Sequence, residues 1–479
     1  MDSQARDVGR VEALARLSGF RCDWYSCLDR RADALFELTD AVLCADGPVS
    51  TLVGLSLAPE HRRGHGALYD GLNHGVVDVA RLRRTVVGLP LPRAAGGRIA
   101  LAVDVSAWLR SDAGTSPERL FCHVHGRGKN SAQMIPGWPY SVVVALESGR
   151  TSWTAVLDAV RLGPSDDATA VTAAQLRDVV ERIQAAGHWK DGDPDILIVS
   201  DSGYDVTRLA FVLADLPVQL VGRLRSDRVM VTAAPQHLPG TNGRPPRHGP
   251  VMDLDEMATW PVPATSTTSD TTRYGAAHAT AWQPMHPRLT HRGAWLDHDG
   301  ELPIIDGTLI RLQVDHLPGD RDPKPVWVWT SDPEMTATDV DRAWQIYLRR
   351  FDIEHTFRLF KQVLGWTAPK IRDPEAADRW TWLVIAAHTQ LRLARDLTDD
   401  LRHPWQPPAD PGRLTPARVR RGFRNLRPKT ALPASAPKPS RPGPGRPPGS
   451  TNRHPRPRHN VGKTIKRDIS LKAHSHIKG

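Results

Sequence analysis

The sequence predicts a mixed α/β protein: a sheet flanked by helices, interrupted by a β-rich segment, preceded by a helical region and followed by a basic tail. Three observations predict it. Arg98 to Val105 (RIALAVDV) and Asp195 to Ser200 (DILIVS) are aliphatic runs of the kind found in buried strands. Ile346 to Leu364 (IYLRRFDIEHTFRLFKQVL) repeats Ile346, Ile353, Phe357, Phe360 and Leu364 at spacings of seven, four, three and four, the period of a helix with one buried face. From Pro411 to Gly479 there are 18 lysines and arginines against the single Asp468; the whole chain carries +10, so residues 1–410 carry −7. The tail makes the protein basic, which suggests a nucleic-acid-binding arm.

The 479 residues suffice for more than one domain and a large core. No apolar run reaches the roughly 18 residues of a membrane span, and the start (MDSQARDVGRVEALARL) has no apolar signal region, so a cytoplasmic, nucleoid-associated protein is expected. Cys22, Cys27, Cys44 and Cys122 form no CxxC pair and no disulfide framework; free thiols are expected.

Residues 1–92 read as helical, with segments near Val11 to Leu17, Arg31 to Cys44 and Gly75 to Val87. The cluster His61-Arg62-Arg63-Gly64-His65 is either a DNA contact or a solvated loop between helices. After the strand at Arg98 to Val105 a loop-like stretch leads to a hairpin, Ser141 to Leu146 with Thr151 to Val156, turning at Glu147 to Arg150. Gln175 to Ala186 reads as a helix, DILIVS as a strand, Val206 to Leu213 as a helix and Val218 to Leu224 as a strand. Residues 225–332 read as a β-rich insertion, with a hairpin at Leu302 to Val314 and a strand at Val326 to Trp329; residues 93–224 and 333–400 make up the main domain. Asp373-Pro374-Glu375 starts a helix that runs to about Leu397 and buries Trp382, Leu383, Ile385 and Ala386. Beyond Pro404 the folding signals fade. Ten of the thirty residues from Pro428 to Pro457 are proline, so 401–479 reads as an extended, disordered tail.

On the helix at 346–364, Tyr347, Arg350, Glu354 and Lys361 fall within a sector of roughly 60° beside the apolar stripe. Two cations around one carboxylate suit a polyanion and a metal, although such a row also fits an ordinary paired surface. A strand-end aspartate such as Asp104 or Asp201 is equally often a turn former or a cap. The spacing Tyr, two residues, Arg, three residues, Glu, six residues, Lys resembles the Y-R-E-K signature of DDE transposases encoded by bacterial insertion sequences. The order strand, hairpin, helix, strand, helix, strand is that of a ribonuclease-H-like domain, the catalytic fold the resemblance implies. It plausibly covers residues 98–397.

The resemblance implies a DNA transposase that cuts and joins DNA with two Mg²⁺ ions, Mn²⁺ being a substitute. Asp104, Asp201 and Glu354 would be catalytic and would hold the metal, with Tyr347, Arg350 and Lys361 on the DNA. A homodimer or higher assembly on transposon ends and target DNA is implied, with no membrane partner. Trp295, Trp327 and Trp329 are candidates for stacking on a flipped base or are core tryptophans. In the tail, Pro444-Gly445-Arg446-Pro447 resembles an AT-hook core, making Arg446 a minor-groove candidate. A domesticated DNA-binding relative that no longer cuts, and another ribonuclease-H-like nuclease, stay open as alternatives.

Overall fold

The computed structural model describes residues 2–124, 133–149, 151–235, 244–296, 298–317, 323–410, 413–438, 449 and 455–462. Arg446 lies outside these, as does most of the proline-rich tail. The chain begins with α1 (Asp2–Ser26), β1 (Leu28–Arg30), α2 (Ala32–Cys44), α3 (Leu52–Ser56), α4 (His65–His74), β2 (Val76–Val77) and α5 (Val79–Gly88). Helix α2 is buried from Ala34 to Cys44, as its apolar composition on every face requires. That buries Glu37 and Asp40, and buried carboxylates need partners. Arg21 Nη1 donates to Asp40 at 2.7 Å, Arg427 Nε to the same carboxylate at 2.7 Å, and Arg62 Nη2 stands 2.7 Å from Glu37. Arg63 reaches Asp33 at 2.8 Å, and His61 is buried. The cluster lies between α3 and the start of α4, with Arg62 and His65 exposed, as the solvated-loop reading has it, and its two arginines pair with acids on α2.

The central sheet begins with β3 (Ala100–Leu109), β4 (Leu120–Val124), β5 (Gln133–Leu146) and β6 (Thr154–Arg161). It continues through α6 (Ala168–Ala185), β7 (Ile196–Ser200), α7 (Val206–Val212) and β8 (Val218–Leu224). Strand β3 pairs antiparallel with β5 and parallel with β7, and β7 pairs parallel with β8. Of the stretch expected to be a loop before Ser141, residues 125–132 lie outside the described residues, and Gln133 to Tyr140 form the first half of β5, paired with both β4 and the far end of β3. Packing holds it there. Trp138 meets Trp108 edge-to-face at 6.0 Å and donates its indole N–H to the Pro117 carbonyl.

Next come β9 (Val229–Thr232), β10 (Val251–Asp253), β11 (Thr265–Thr271), β12 (Gly275–Pro287), β13 (Gly307–Val314) and β14 (Val326–Thr330). These strands extend the same sheet, whose order is β10-β9-β12-β13-β14-β8-β7-β3-β5-β4, with β11 on β12 and β6 on β5. The hairpin expected at Leu302 to Val314 is absent: the strand starts at Gly307 and pairs with β12 and β14. A side chain at 307 could not fit, since a Cβ there would lie 2.1 Å from the Thr330 carbonyl. Trp327 and Trp329 are core residues at 2% and 0% exposure, which settles them as packing rather than base-stacking groups in this conformation.

Four helices complete the chain: α8 (Ala337–Arg349), α9 (Phe351–Gln362), α10 (Pro374–Leu393) and α11 (Pro416–Leu426). A reciprocal Thr336 and Asp339 capping box starts α8. The single helix expected over 346–364 is two helices, because the ladder tightens at Arg350. Arg350 N–H donates to the Tyr347 carbonyl and Ile353 N–H to the Arg350 carbonyl, both three residues back. Pro374 opens α10 as expected, but the Asp373 carboxylate faces Arg456 at 2.9 Å instead of capping the helix. Helix α11, which the sequence reading left in the tail, packs on α2 and α10 through Val419 and Phe423, both at 0% exposure. Its buried Arg420 donates to the Val42 and Gly47 carbonyls.

His388 sits at the centre of α10, fully buried between Phe360 (ring centroids 5.3 Å) and Trp153 (6.1 Å), and neither ring nitrogen has a hydrogen-bond partner among the described residues. Burial, reinforced by Arg392, pushes its pKa down to about 3. The unfolded chain takes up this proton below about pH 6.5 while the folded one does not, so the group removes stability as pH falls from 6.5 toward 3. Unfolding in urea at pH 7 and pH 5 should show His388→Leu losing about 2 kcal/mol less than the wild type between the two. Equal losses would show that His388 does not carry the acid sensitivity.

Candidate active site

Strand order brings the two aspartates together. The parallel pairing of β3 with β7 ends at Ala102 and Val199, and β3 then runs on with β5 alone. Asp104 lies two residues past that last pair, and Asp201 directly follows the end of β7, so both stand where β7 stops. The sequence reading put Asp104 near a strand end; it is within β3, at the point where β3 leaves its parallel neighbour. Asp201 is not the cap of the next helix. Asp205 is, accepting from Arg208 N–H at 3.0 Å. Asp201 is free of that duty, and its Oδ1 is buried without a hydrogen-bond partner among the described residues.

Helix α9 supplies the third acid and the helix break supplies the cation between them. The Arg350 guanidinium, 4% exposed, donates from Nη1 to Asp104 Oδ2 at 3.1 Å and from Nη2 to Glu354 Oε1 at 3.3 Å. Asp201 Oδ2 stands 4.0 Å from the same Nη2. The ring of Phe351 lies 4.7 Å from the guanidinium carbon. Tyr347, one turn earlier, is buried with its hydroxyl beside Arg350, and burial followed by the Asp201 charge raises its pKa. Thus Asp104, Asp201, Glu354, Arg350 and Tyr347 meet at one point. Lys361 stands apart from it, over the Trp366 ring at 5.8 Å; its ammonium pKa is lowered by burial.

Burial also pushes the Asp104 carboxyl up to about 6, against the pull of Arg350 and a backbone N–H from Val105 at 2.8 Å. Tyr204, from the turn after Asp201, is a site residue the sequence reading passed over. It is half-buried with its hydroxyl enclosed, and burial and the Asp104 charge raise its pKa. Only the aspartate beside it gave any hint of this in the sequence.

Among the described residues no group of three or more His, Cys, Asp or Glu is arranged to hold a metal ion. The cation that the three acids face is Arg350. Their chemistry is nonetheless that of a hard-cation site, with oxygen donors only and one buried carboxylate oxygen, on Asp201, without a partner. The donor set fits a divalent ion once the guanidinium is displaced.

The chain is an α/β protein whose open sheet, with helices packed against it, gathers three acids and one arginine near its strand ends. The sequence profile described as DDE superfamily endonuclease matches residues 23–288, more than half of the chain, and the chain belongs to that family. Membership implies a metal-dependent mechanism. The matched range includes Asp104 and Asp201 and ends before the row from Tyr347 to Lys361. No curated protein matches the chain. Among the described residues no helix is long and apolar enough to cross a membrane.

Removing the guanidinium would leave three carboxylates facing one another without a counter-charge. Arg350→Ala is expected to lower the unfolding free energy in EDTA by about 1–3 kcal/mol, since the guanidinium is buried while Asp201 and Glu354 keep much of their contact with water. Adding Asp104→Asn should recover part of the loss. Urea denaturation measures both, and an Arg350→Ala protein as stable as the wild type would show that the acids do not depend on this cation.

Proposed function

We propose that the chain is an insertion-sequence DNA transposase with a ribonuclease-H-like catalytic domain. It cleaves DNA and joins it to a target, with Asp104, Asp201 and Glu354 as the catalytic carboxylates. The observation that carries this reading is the convergence of all three acids, from within one strand, the end of another and a distant helix, within 4.0 Å of one guanidinium. An acid set gathered from so far apart in the chain is costly to assemble, and its chemistry suits a pair of Mg²⁺ or Mn²⁺ ions. Such ions would activate the attacking oxygen and stabilise the leaving one.

In this reading the chain's own groups do the rest. Asp104, Asp201 and Glu354 together would hold the metal. The bond from Val105 N–H to Asp104 Oδ1 fixes its carboxylate plane. Arg350 moves from the acids to the phosphate that approaches them, a bidentate exchange that its planar fork favours. Tyr347 steadies the guanidinium in either position, and Lys361 supplies a further cation to the strand. Asp201 and Glu354 stay open to water and to an approaching strand, at 37% and 49% exposure, while Arg350 behind them is buried. Residues 93–224 and 333–400 make up the catalytic unit, 225–332 the insertion and 1–92 a helical unit that contributes to end binding. Two copies would act on two DNA ends.

A second reading, a DNA-binding relative that no longer cuts, is favoured by one observation: Arg350 neutralises the very acids that would hold metal. Two measurements separate them. Supercoiled DNA carrying the element's ends should be nicked with Mg²⁺ or Mn²⁺, and Asp104→Ala, Asp201→Ala and Glu354→Ala should each reduce nicking by several orders of magnitude. Calorimetric titration with Mn²⁺ should show binding that Asp201→Ala abolishes. Specific DNA binding without nicking and without Mn²⁺ uptake would sink the transposase reading and support the second.

A further inference from the structure

The turn that follows Asp201 also forms one wall of a cleft of about 630 Å³, through Ser202 and Tyr204. Its lining includes five arginines: Arg223 and Arg225 around the end of β8, Arg228 just before β9, and Arg288 and Arg292 in the segment after β12. All five are exposed. Among the described residues only Arg225 has a carboxylate partner, Asp227 at 2.8 Å, and that pair is solvent-exposed. The other acid in the lining, Asp205, is engaged in capping α7.

Unpaired surface arginines occur elsewhere among the described residues, Arg84 and Arg358 among them, and others meet acids, as Arg161 does with Asp378 and Arg177 with Asp215. What sets the cleft arginines apart is that they line one concavity. Four unpaired guanidinia in one concavity repel each other, and what relieves such an arrangement is a polyanion with repeating charge. The path continues beyond Arg223, which also lines a neighbouring cleft. There Arg311 lies over the Trp260 ring at 5.4 Å, with its Nε buried and without a partner among the described residues.

We propose that the arginine cleft seats the sugar–phosphate backbone of the DNA strand that leads into the three acids, its exposed guanidinia taking successive phosphates. The choice of DNA as the polyanion rests on the nuclease reading; the cleft's affinity for a polyanion does not. Among the described residues no Asn or Gln lines the cleft, and with its guanidinia on phosphates its contribution should be largely independent of base sequence.

The test uses the full chain in EDTA, with a labelled duplex of arbitrary sequence followed by anisotropy between about 50 and 200 mM salt. Compared with the wild type, the triple variant Arg228→Gln, Arg288→Gln, Arg292→Gln should bind at least about tenfold more weakly. Its slope of log K against log salt should be shallower by roughly two to three, one counterion per lost phosphate contact. The basic tail is present in both proteins and cancels in the comparison. Because the three side chains are exposed and unpaired, the variant's melting temperature should stay at the wild-type value, which separates lost contacts from lost folding. An unchanged slope overturns the proposal. A slope reduced for heparin but not for DNA also overturns it, and assigns the cleft to another polyanion. Metal is absent, so the two readings fail separately. A chain that never nicks DNA but shows the shallower slope loses only the nuclease assignment. One that nicks DNA with an unchanged slope loses only the cleft.

Discussion

One guanidinium holds the working end of this molecule together. Arg350 sits between an acid on β3, an acid after β7 and an acid on α9, and bonds or stands within 4.0 Å of each. Three like charges this close, partly shielded from water, would otherwise drive the strand ends and the helix apart. The backbone is shaped to the same end, because the helix tightens at residue 350, where the side chain must reach inward. Burial raises the Asp104 pKa even with the cation beside it, and the charges of Asp201 and Glu354 add to that in the same direction.

Arginine does two kinds of work in this chain. In one, planar forks satisfy buried acids and carbonyls: Arg21 on Asp40 and Gln390, Arg420 on Val42 and Gly47, and Arg119 on Ser116 and Arg110. Arg21 and Arg420 tie sequence-distant helices together, Arg119 closes the turn between β3 and β4, and all three resemble a packing device more than a charge. In the other, around the Asp201 turn, the forks face solvent without carboxylates. The first kind explains why a cluster such as Arg62-Arg63 carries little information as a motif. Its meaning depends on whether an acid, here Glu37, waits within reach.

The elements most legible in the sequence were those whose burial is two-sided. β7, β8 and the start of β3 are continuous aliphatic runs, and the Pro374 start of α10 announces itself chemically. Much of the rest was hidden for physical reasons. β11 reads TSTTSDT because its side chains alternate between half-buried and exposed, so it has no apolar run to find. β12 is largely alanine along its first half, and its partners, β11 and β13, fix it more than its composition does. Helix α11 is half arginine along its exposed edge, yet its buried stripe of Val419, Phe423 and Leu426 docks on α2. Among the candidate site residues, the acids and the row from Tyr347 could be named because local patterns flank them. The position of Arg350 among the acids could not be, since it depends on contacts across 246 positions of chain. The cleft arginines come from two separate loop segments, and only the folded sheet brings them side by side.

The continuity of the sheet has a consequence for how such a protein can change over time. Strands β9 to β14 are not a module hung on a linker; β14 is hydrogen-bonded to β8, which is bonded to β7, whose end presents Asp201. A lengthened loop between those strands is tolerable, but a slipped register or a deleted strand would be felt by the acids within two strand widths. Exchange of this region between relatives as an independent cassette is therefore disfavoured. Its divergence should instead concentrate in the turns, leaving the strand pairing that carries the strain untouched.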